Sequence, residues 1–189
     1  MRKGFAWLIV VIIALGIGIV AWYIRGLNYV VALDEKVNEA WAQVETQLQR
    51  RYDLIPNLVN TVKGYAAHEK ELFTKITELR SQWAKAATRE EKIAKAGELE
   101  RALSRLLLVA ENYPDLKASQ NFLTLQAQLE GTENRIAVAR MRYNQAVKEF
   151  NTYIRTVFGS FFAKKRGLTQ PYPYFKAEEK AVQAPVVKF

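Results

Sequence analysis

The chain has 189 residues, half of them hydrophobic and 25% charged, with 28 Lys and Arg against 19 Asp and Glu for a formal charge of +9. That length suits one ordinary domain with an appendage, and so apolar a composition excludes intrinsic disorder. The lack of cysteine excludes disulfides, thiolate metal sites and Cys nucleophiles, while a single histidine, His68, removes most His-dependent catalysis.

The charge is unevenly placed. Residues 1–27 hold 3 basic and 0 acidic side chains, residues 28–112 hold 13 of each, and residues 113–189 hold 12 basic and 6 acidic. A binder of single-stranded nucleic acid spreads cations and stacking aromatics along a groove. Here they crowd into one short stretch near the C-terminus, so no nucleic-acid partner is expected.

From Phe5 to Ile24 there are twenty residues without a charge, closed by Arg25. At about 1.5 Å per residue this run makes about 30 Å of helix, the thickness of a bilayer hydrocarbon core. Trp7 near one end and Trp22 with Tyr23 at the other take the interfacial positions of amphipathic aromatics. The alternative is a cleaved signal peptide, since Arg2 and Lys3 resemble an n-region and Ala14-Leu15-Gly16 is a small-x-small triplet. The apolar run continues well past that triplet, which favours an uncleaved anchor. Ala14 and Gly18 form a small-xxx-small pair suited to packing two anchors together, a weak signal in any Ala- and Gly-containing span. Arg2 and Lys3 against Arg25 and Lys36 place the N-terminus in the cytoplasm and the body outside it, by a small margin.

Next, Val30, Leu33, Val37, Ala40, Val44 and Leu48 recur every three or four residues, an amphipathic helix with no Pro or Gly between it and Gly26. The anchor is expected to run on into the body. Asp53 before Leu54, Ile55 and Pro56 reads as the N-cap of a second helix, with the stripe Ile55, Leu58, Val59, Val62, Ala66, Phe73, Ile76, Leu79 and Trp83. Thr88-Arg89-Glu90-Glu91 is a capping box opening a third helix, with Ile93, Ala96, Leu99, Leu103, Leu106 and Leu107 inward, which ends at Asn112-Tyr113-Pro114-Asp115. The fourth and longest carries Phe122, Leu125, Leu129, Thr132, Ile136, Ala139, Tyr143, Val147, Phe150, Ile154 and Val157, with Gly131 tolerated inside it. The expected fold is all-α: an N-terminal transmembrane helix (1–27), an elongated antiparallel three- or four-helix bundle (28–158) and a basic aromatic, then extended, C-terminal tail (159–189).

The run Tyr29 to Val37 with Asp34 and Glu35, then Ala40, Trp41 and Val44, then Arg51, Asp53, Pro56, Asn57 and Val59, resembles the signature of the LemA family. So do Glu111, Tyr113 and Pro114, Phe122, the stretch Leu129 to Ile136, Ala139-Arg140, Tyr143-Asn144, Phe150-Asn151, Tyr174-Phe175 and Pro185 to Phe189. Phe158-Gly159 departs from it, since many members carry proline in a similar turn. The resemblance implies a single N-terminal membrane helix and a helical bundle in the bacterial cell envelope; together with the charge asymmetry around the span, the expectation is an inner-membrane anchor with the bundle on the periplasmic side. It implies a link to membrane stress and to HtpX-type membrane metalloproteases as partners, and no defined chemistry.

No catalytic, cofactor or metal site emerges from the residues. His68-Glu69-Lys70-Glu71-Leu72 begins like H-E-x-x-H but has Leu72 at the second ligand, so a zinc site fails on ligand count. Ser81, Ser104, Ser119 and Ser160 lie in no nucleophile elbow, and no glycine-rich phosphate loop occurs. The pairs Asp34-Glu35 and Glu90-Glu91 point apart as neighbours on a helix. The expectation is a non-enzymatic scaffold or adaptor that self-assembles.

Arg50, Arg51 and Asp53 flank the first bend, while Asn57, Asn60, Asn134, Arg135, Asn144 and Asn151 sit on or beside apolar stripes. They either fix helix register as buried polar groups or line an oligomer or partner face. Phe161 and Phe162 precede Lys164-Lys165-Arg166. This basic aromatic stretch either contacts anionic lipid, making the protein a surface-binding or remodelling factor, or caps the bundle's hydrophobic end. Ala181 to Phe189, with Pro185, is expected to be extended.

Overall fold

The structure, a computed structural model, describes residues 2–176, with side chains from residue 7 onward. Among the described residues seven helices follow one another: α1 (Arg2–Asp53), α2 (Ile55–Lys63), α3 (Lys70–Lys85), α4 (Arg89–Ala110), α5 (Pro114–Lys117), α6 (Gln120–Tyr153) and α7 (Val157–Arg166). Among the described residues there is no strand, so the fold is all-α as expected. The side chain of Phe5 and the segment Ala181 to Phe189 lie outside the described residues.

The chain forms two compact units, one of Met1–Trp41 and Tyr143–Tyr172, the other of Ala42–Arg142 and Pro173–Phe189. In the first, α1 begins as an apolar helix long enough to cross a bilayer, and none of that apolar stretch is buried. Trp7 is 72% exposed and Ile17 65%. With no breaker after Gly26, the same helix continues and turns amphipathic, burying Val30, Leu33, Val37, Ala40 and Trp41. These meet the end of α6, where Tyr143, Ala146, Val147 and Phe150 are buried. Tyr29 faces Tyr153, Lys36 pairs with Glu149 and Trp41 faces Tyr143, so α1 ascends as α6 descends and the pair is antiparallel.

The second unit starts from a proline. Pro56 has no N–H to offer the carbonyl of Tyr52, four residues back, and α1 stops at Asp53. Arg80 of α3 takes over: its Nε donates to the Tyr52 carbonyl at 3.0 Å, and its Nη2 lies 3.7 Å from Asp53 Oδ1. The expectation that Asp53 caps α2 is corrected here. The cap position is Leu54, which keeps a right-handed helical backbone (φ −78°, ψ −21°) and makes no side-chain cap, so the helix bends without leaving helical space. Asp53 instead accepts from Gln49 Nε2 at 2.7 Å.

The single helix expected over Ile55 to Trp83 is likewise two. Between Val62 and Leu72 only Ala66 is buried, so the stripe lapses for more than two turns around Gly64, and nothing offsets glycine's low helix propensity. Every residue named for that stripe is nevertheless buried. α3 packs along α4, and the turn between them is the capping box. Glu91 N donates to Thr88 Oγ1 at 3.2 Å, while Glu91 Oε2 accepts from Thr88 N at 3.4 Å and Ala87 N at 3.0 Å. Pro114 then opens the short α5 and leads into α6. The α6 stripe is buried from Phe122 to Ile154, but α6 ends at Tyr153 and Val157 is 82% exposed, because the chain turns there into a separate helix. The stretch after Phe158 is therefore helical up to Arg166, not yet a tail.

Candidate functional site

Three arrangements hold the residues singled out from the sequence. The first is α7 on α1, within the first unit. Thr156 caps α7, its Oγ1 accepting from Gly159 N at 3.1 Å. A Cβ at Gly159 would overlap the Tyr153 carbonyl, so the tight turn that launches α7 requires glycine. At the other end Gly167 adopts φ 72° and Leu168 N donates to the Ala163 carbonyl at 2.9 Å, the Schellman pattern that stops a helix. Lys164, Lys165 and Arg166 fill the last turn, where cations suit the helix dipole, and all three are exposed.

The buried face of α7 is Gly159, Phe162 and Ala163. Phe162 is 2% exposed, with its ring centroid 5.2 Å from Trp22 and 6.0 Å from Tyr23. Gly26 completes the socket, since a Cβ there would overlap the Phe162 ring. Of the two phenylalanines put forward for lipid contact, Phe162 is thus taken up by α1, and Phe161, 44% exposed and 6.3 Å from Tyr23, is the one that presents a ring outward. Phe158, 63% exposed, lies edge-on to Trp22 at 5.4 Å. Ala14 and Gly18 lie exposed on one apolar groove of α1 with Val11, Leu15, Ile19 and Trp22.

The second arrangement, in the other unit, is polar. Arg51 is nearly buried and its Nη1 pairs with Glu133 of α6, while Arg140 Nη2 donates to Glu100 Oε2 of α4 at 3.1 Å and stacks on the Phe175 ring at 5.1 Å. Lys92 of α4 pairs with Glu45 of α1. Burial pushes the Arg51 guanidinium below its ordinary value, with Glu100 opposing. Burial also pushes the Tyr52 phenol well above its usual value, with Arg140 and Arg51 drawing it back. Asn57, Asn134 and Arg135 are exposed, so none of them is a buried register group. Asn144 is half-buried. Arg51 is buried instead; Thr132, also buried, lies on α6 and donates to the Leu129 carbonyl. Arg135 lines an open groove of about 730 Å³ with Arg50, Leu54, Leu123 and Gly131. Asn134, Val138 and Met141 mark an outward face of α6, with Val138 43% and Met141 65% exposed. His68 is exposed in the loop between α2 and α3.

The third arrangement was not foreseen. The buried Asn151 amide donates to the Tyr172 carbonyl and accepts from its N–H, both at 2.9 Å. The Tyr172 hydroxyl donates to Asp34 Oδ1 at 2.6 Å, and its ring packs on Phe150. The chain leaving α7 is thereby fastened to α1 and α6. A buried asparagine satisfying a backbone edge has the pattern of a clasp, but no spacing rule connects positions 34, 151 and 172.

Comparison with known proteins follows the same outline. The LemA family profile matches residues 40–189, starting within α1 beyond its apolar stretch. Protein LemA of Metamycoplasma hominis is 24% identical over 147 residues, which cover 77% of this chain and 67% of that protein. Magnetosome protein MamQ 2 of Paramagnetospirillum magneticum is 24% identical over 197 residues, covering 90% and 72%. Magnetosome protein MamQ of Magnetospirillum gryphiswaldense is 24% identical over 153 residues, covering 67% and 56%. An all-helical, membrane-associated chain with an exposed apolar N-terminal helix, matched by the profile over most of its length, belongs to the LemA family.

Proposed function

We propose that the protein is a non-enzymatic scaffold or adaptor of the bacterial cell envelope, anchored once in the inner membrane by α1, with its body on the periplasmic side, that self-assembles and engages a membrane partner such as an HtpX-type metalloprotease. The observation that carries this reading is α1. One helix of 52 residues is exposed and apolar where a bilayer would surround it, then supplies core residues from Val30 onward. A span that continues without a break into a packed helix joins the apolar segment directly to core-forming residues, which suits a structural role. Relatives named both LemA and magnetosome protein MamQ support a shared module more readily than a shared reaction. For self-assembly, the outward face of α6 with Asn134, Val138 and Met141 offers apolar side chains that a solitary bundle gains nothing by exposing.

Native gel electrophoresis or mass photometry of the detergent-extracted full chain tests it. A large defined assembly is expected, and Val138→Glu with Met141→Glu is expected to reduce it to smaller species. A wild-type monomer that retains no partner overturns the reading.

A further inference from the structure

We propose that α7 is an interfacial membrane-docking helix whose exposed face, Val157, Phe158, Phe161, Lys164 and Lys165, lies in the headgroup layer of the bilayer crossed by α1 and favours anionic lipid. This rests on the reading that α1 spans the membrane. It goes further by assigning a second, separate membrane contact and the lipid chemistry that it selects.

The depth of α7 follows from α1. The uncharged run ends at Ile24, so Trp22 and Tyr23 stand in its last turn, at the boundary between hydrocarbon and headgroups. The α7 rings pack on those two residues: Phe158 and Phe162 on Trp22, Phe161 and Phe162 on Tyr23. Phe162 is seated over Gly26, where no side chain could fit beneath it. The helix therefore cannot sit at another level without emptying that socket.

Its surface matches that level. Beside their contacts with α1, Phe158 stays 63% and Phe161 44% exposed, with Val157 at 82% next to them and Lys164 and Lys165 following one turn on. Water gives no reason to leave two phenylalanines and a valine together on a ten-residue helix. An interface gives one, because apolar rings enter the acyl boundary while lysine stems extend toward phosphates. Lys165 already lies over the Phe161 ring at 5.9 Å, so ring and cation share one patch. Arg166 completes three consecutive cations, each of which favours an anionic surface over a neutral one by about fivefold.

The full chain, which has no native cysteine, is converted to Val157→Cys or, as an aqueous control on the exposed part of α1 beyond the span, to Glu39→Cys. Each variant is spin-labelled and reconstituted into vesicles of phosphatidylcholine with or without phosphatidylglycerol. Accessibility to oxygen and to a water-soluble nickel chelate is then measured. The label at 157 is expected to favour oxygen severalfold more than the label at 39, with a further increase in anionic vesicles. Lys164→Gln, Lys165→Gln and Arg166→Gln together should abolish that increase and leave the neutral-vesicle reading in place. A label at 157 as accessible to nickel as that at 39 overturns the proposal, as does one shielded by a second copy, seen as dipolar broadening between labels. Flotation of the same vesicles separates the two readings. Protein that does not float defeats the anchor, whereas protein that floats with a wet label at 157 defeats only α7.

Discussion

In the unit that carries the apolar span, contacts between helices around the end of that span are rings on rings, Trp22 and Tyr23 with Phe158, Phe161 and Phe162, then Tyr29 with Tyr153, and its cross-helix ion pair, Lys36 with Glu149, comes only farther along α1. The unit that holds α2 to α5 adds cross-helix ion pairs to its aliphatic core, Glu45 with Lys92, Arg51 with Glu133, and Glu100 with Arg140. Under the proposed reading in which α1 spans a bilayer, the difference follows the surroundings each unit meets. At the boundary between hydrocarbon and headgroups an aromatic ring is at home on either side, whereas a charged group is favoured only on the hydrated side. In water an ion pair at a helix seam can specify register even when its net contribution to stability is small.

The sharpest way to break this contrast is Phe162→Ala, which empties the Gly26 socket and should cost about 3–5 kcal/mol, as for other buried phenylalanines. Hydrogen exchange of the detergent-solubilised chain should show α7 losing its protection while the amides of α3 and α4 keep theirs. Equal loss in both units would mean that the ring cluster is not a local device. Gly26→Ala should act in the same direction by overpacking, at about 1–3 kcal/mol.

In the other unit, the two halves of one ion pair should behave unequally. Glu133→Gln leaves the Arg51 charge buried without its partner and should cost about 3 kcal/mol. Arg51→Met leaves a carboxylate whose side chain is 44% exposed and can rehydrate, so it should cost no more than about 1 kcal/mol. Urea titration followed by near-ultraviolet signal from Trp83, which packs on Tyr52, would read both variants. Identical costs would show that burial of Arg51 is not what governs the pair.

The smallest expected effect is alkaline. The Tyr52 phenol is held neutral in the fold, its pKa raised by burial, whereas in the unfolded chain it ionises near pH 10. Above that pH the unfolded chain binds fewer protons than the native one, so stability falls as pH rises past about 10 and is intact below it. Tyr52→Phe should remove about 1 kcal/mol of the loss between pH 9 and 11. A slope unaltered by this substitution would place the alkaline sensitivity elsewhere, Tyr153 of the first unit being raised by burial as well.

Periodicity was a good guide to which residues are inside and a poor guide to where helices stop. Phe73, Ile76, Leu79 and Trp83 fall in phase with Ile55 and Leu58, so the stripe is correct while the helix is broken at Gly64. Asp53 and Pro56 mark a boundary correctly, but the group that stabilises it is Arg80, which approaches from another helix. Thr88 was legible in full because a capping box closes within four residues. Asn134 and Asn144 were read beside an apolar stripe, yet exposure at Asn134 and burial at Asn151 depend on what lies opposite each, which spacing alone does not tell.

The sequence by itself determined the helical class, the apolar span, the stripes and the family, because each of these is written in residues close together along the chain. Only the tertiary structure decided that Phe162 is buried against α1 while Phe158 and Phe161 stay partly exposed beside it. It alone showed that Arg80 answers Pro56, and that Asp34 and Asn151 hold Tyr172. These outcomes pair positions as much as 138 residues apart. A hydrogen bond or a ring contact is fixed by distance in space, and local propensity carries no record of it.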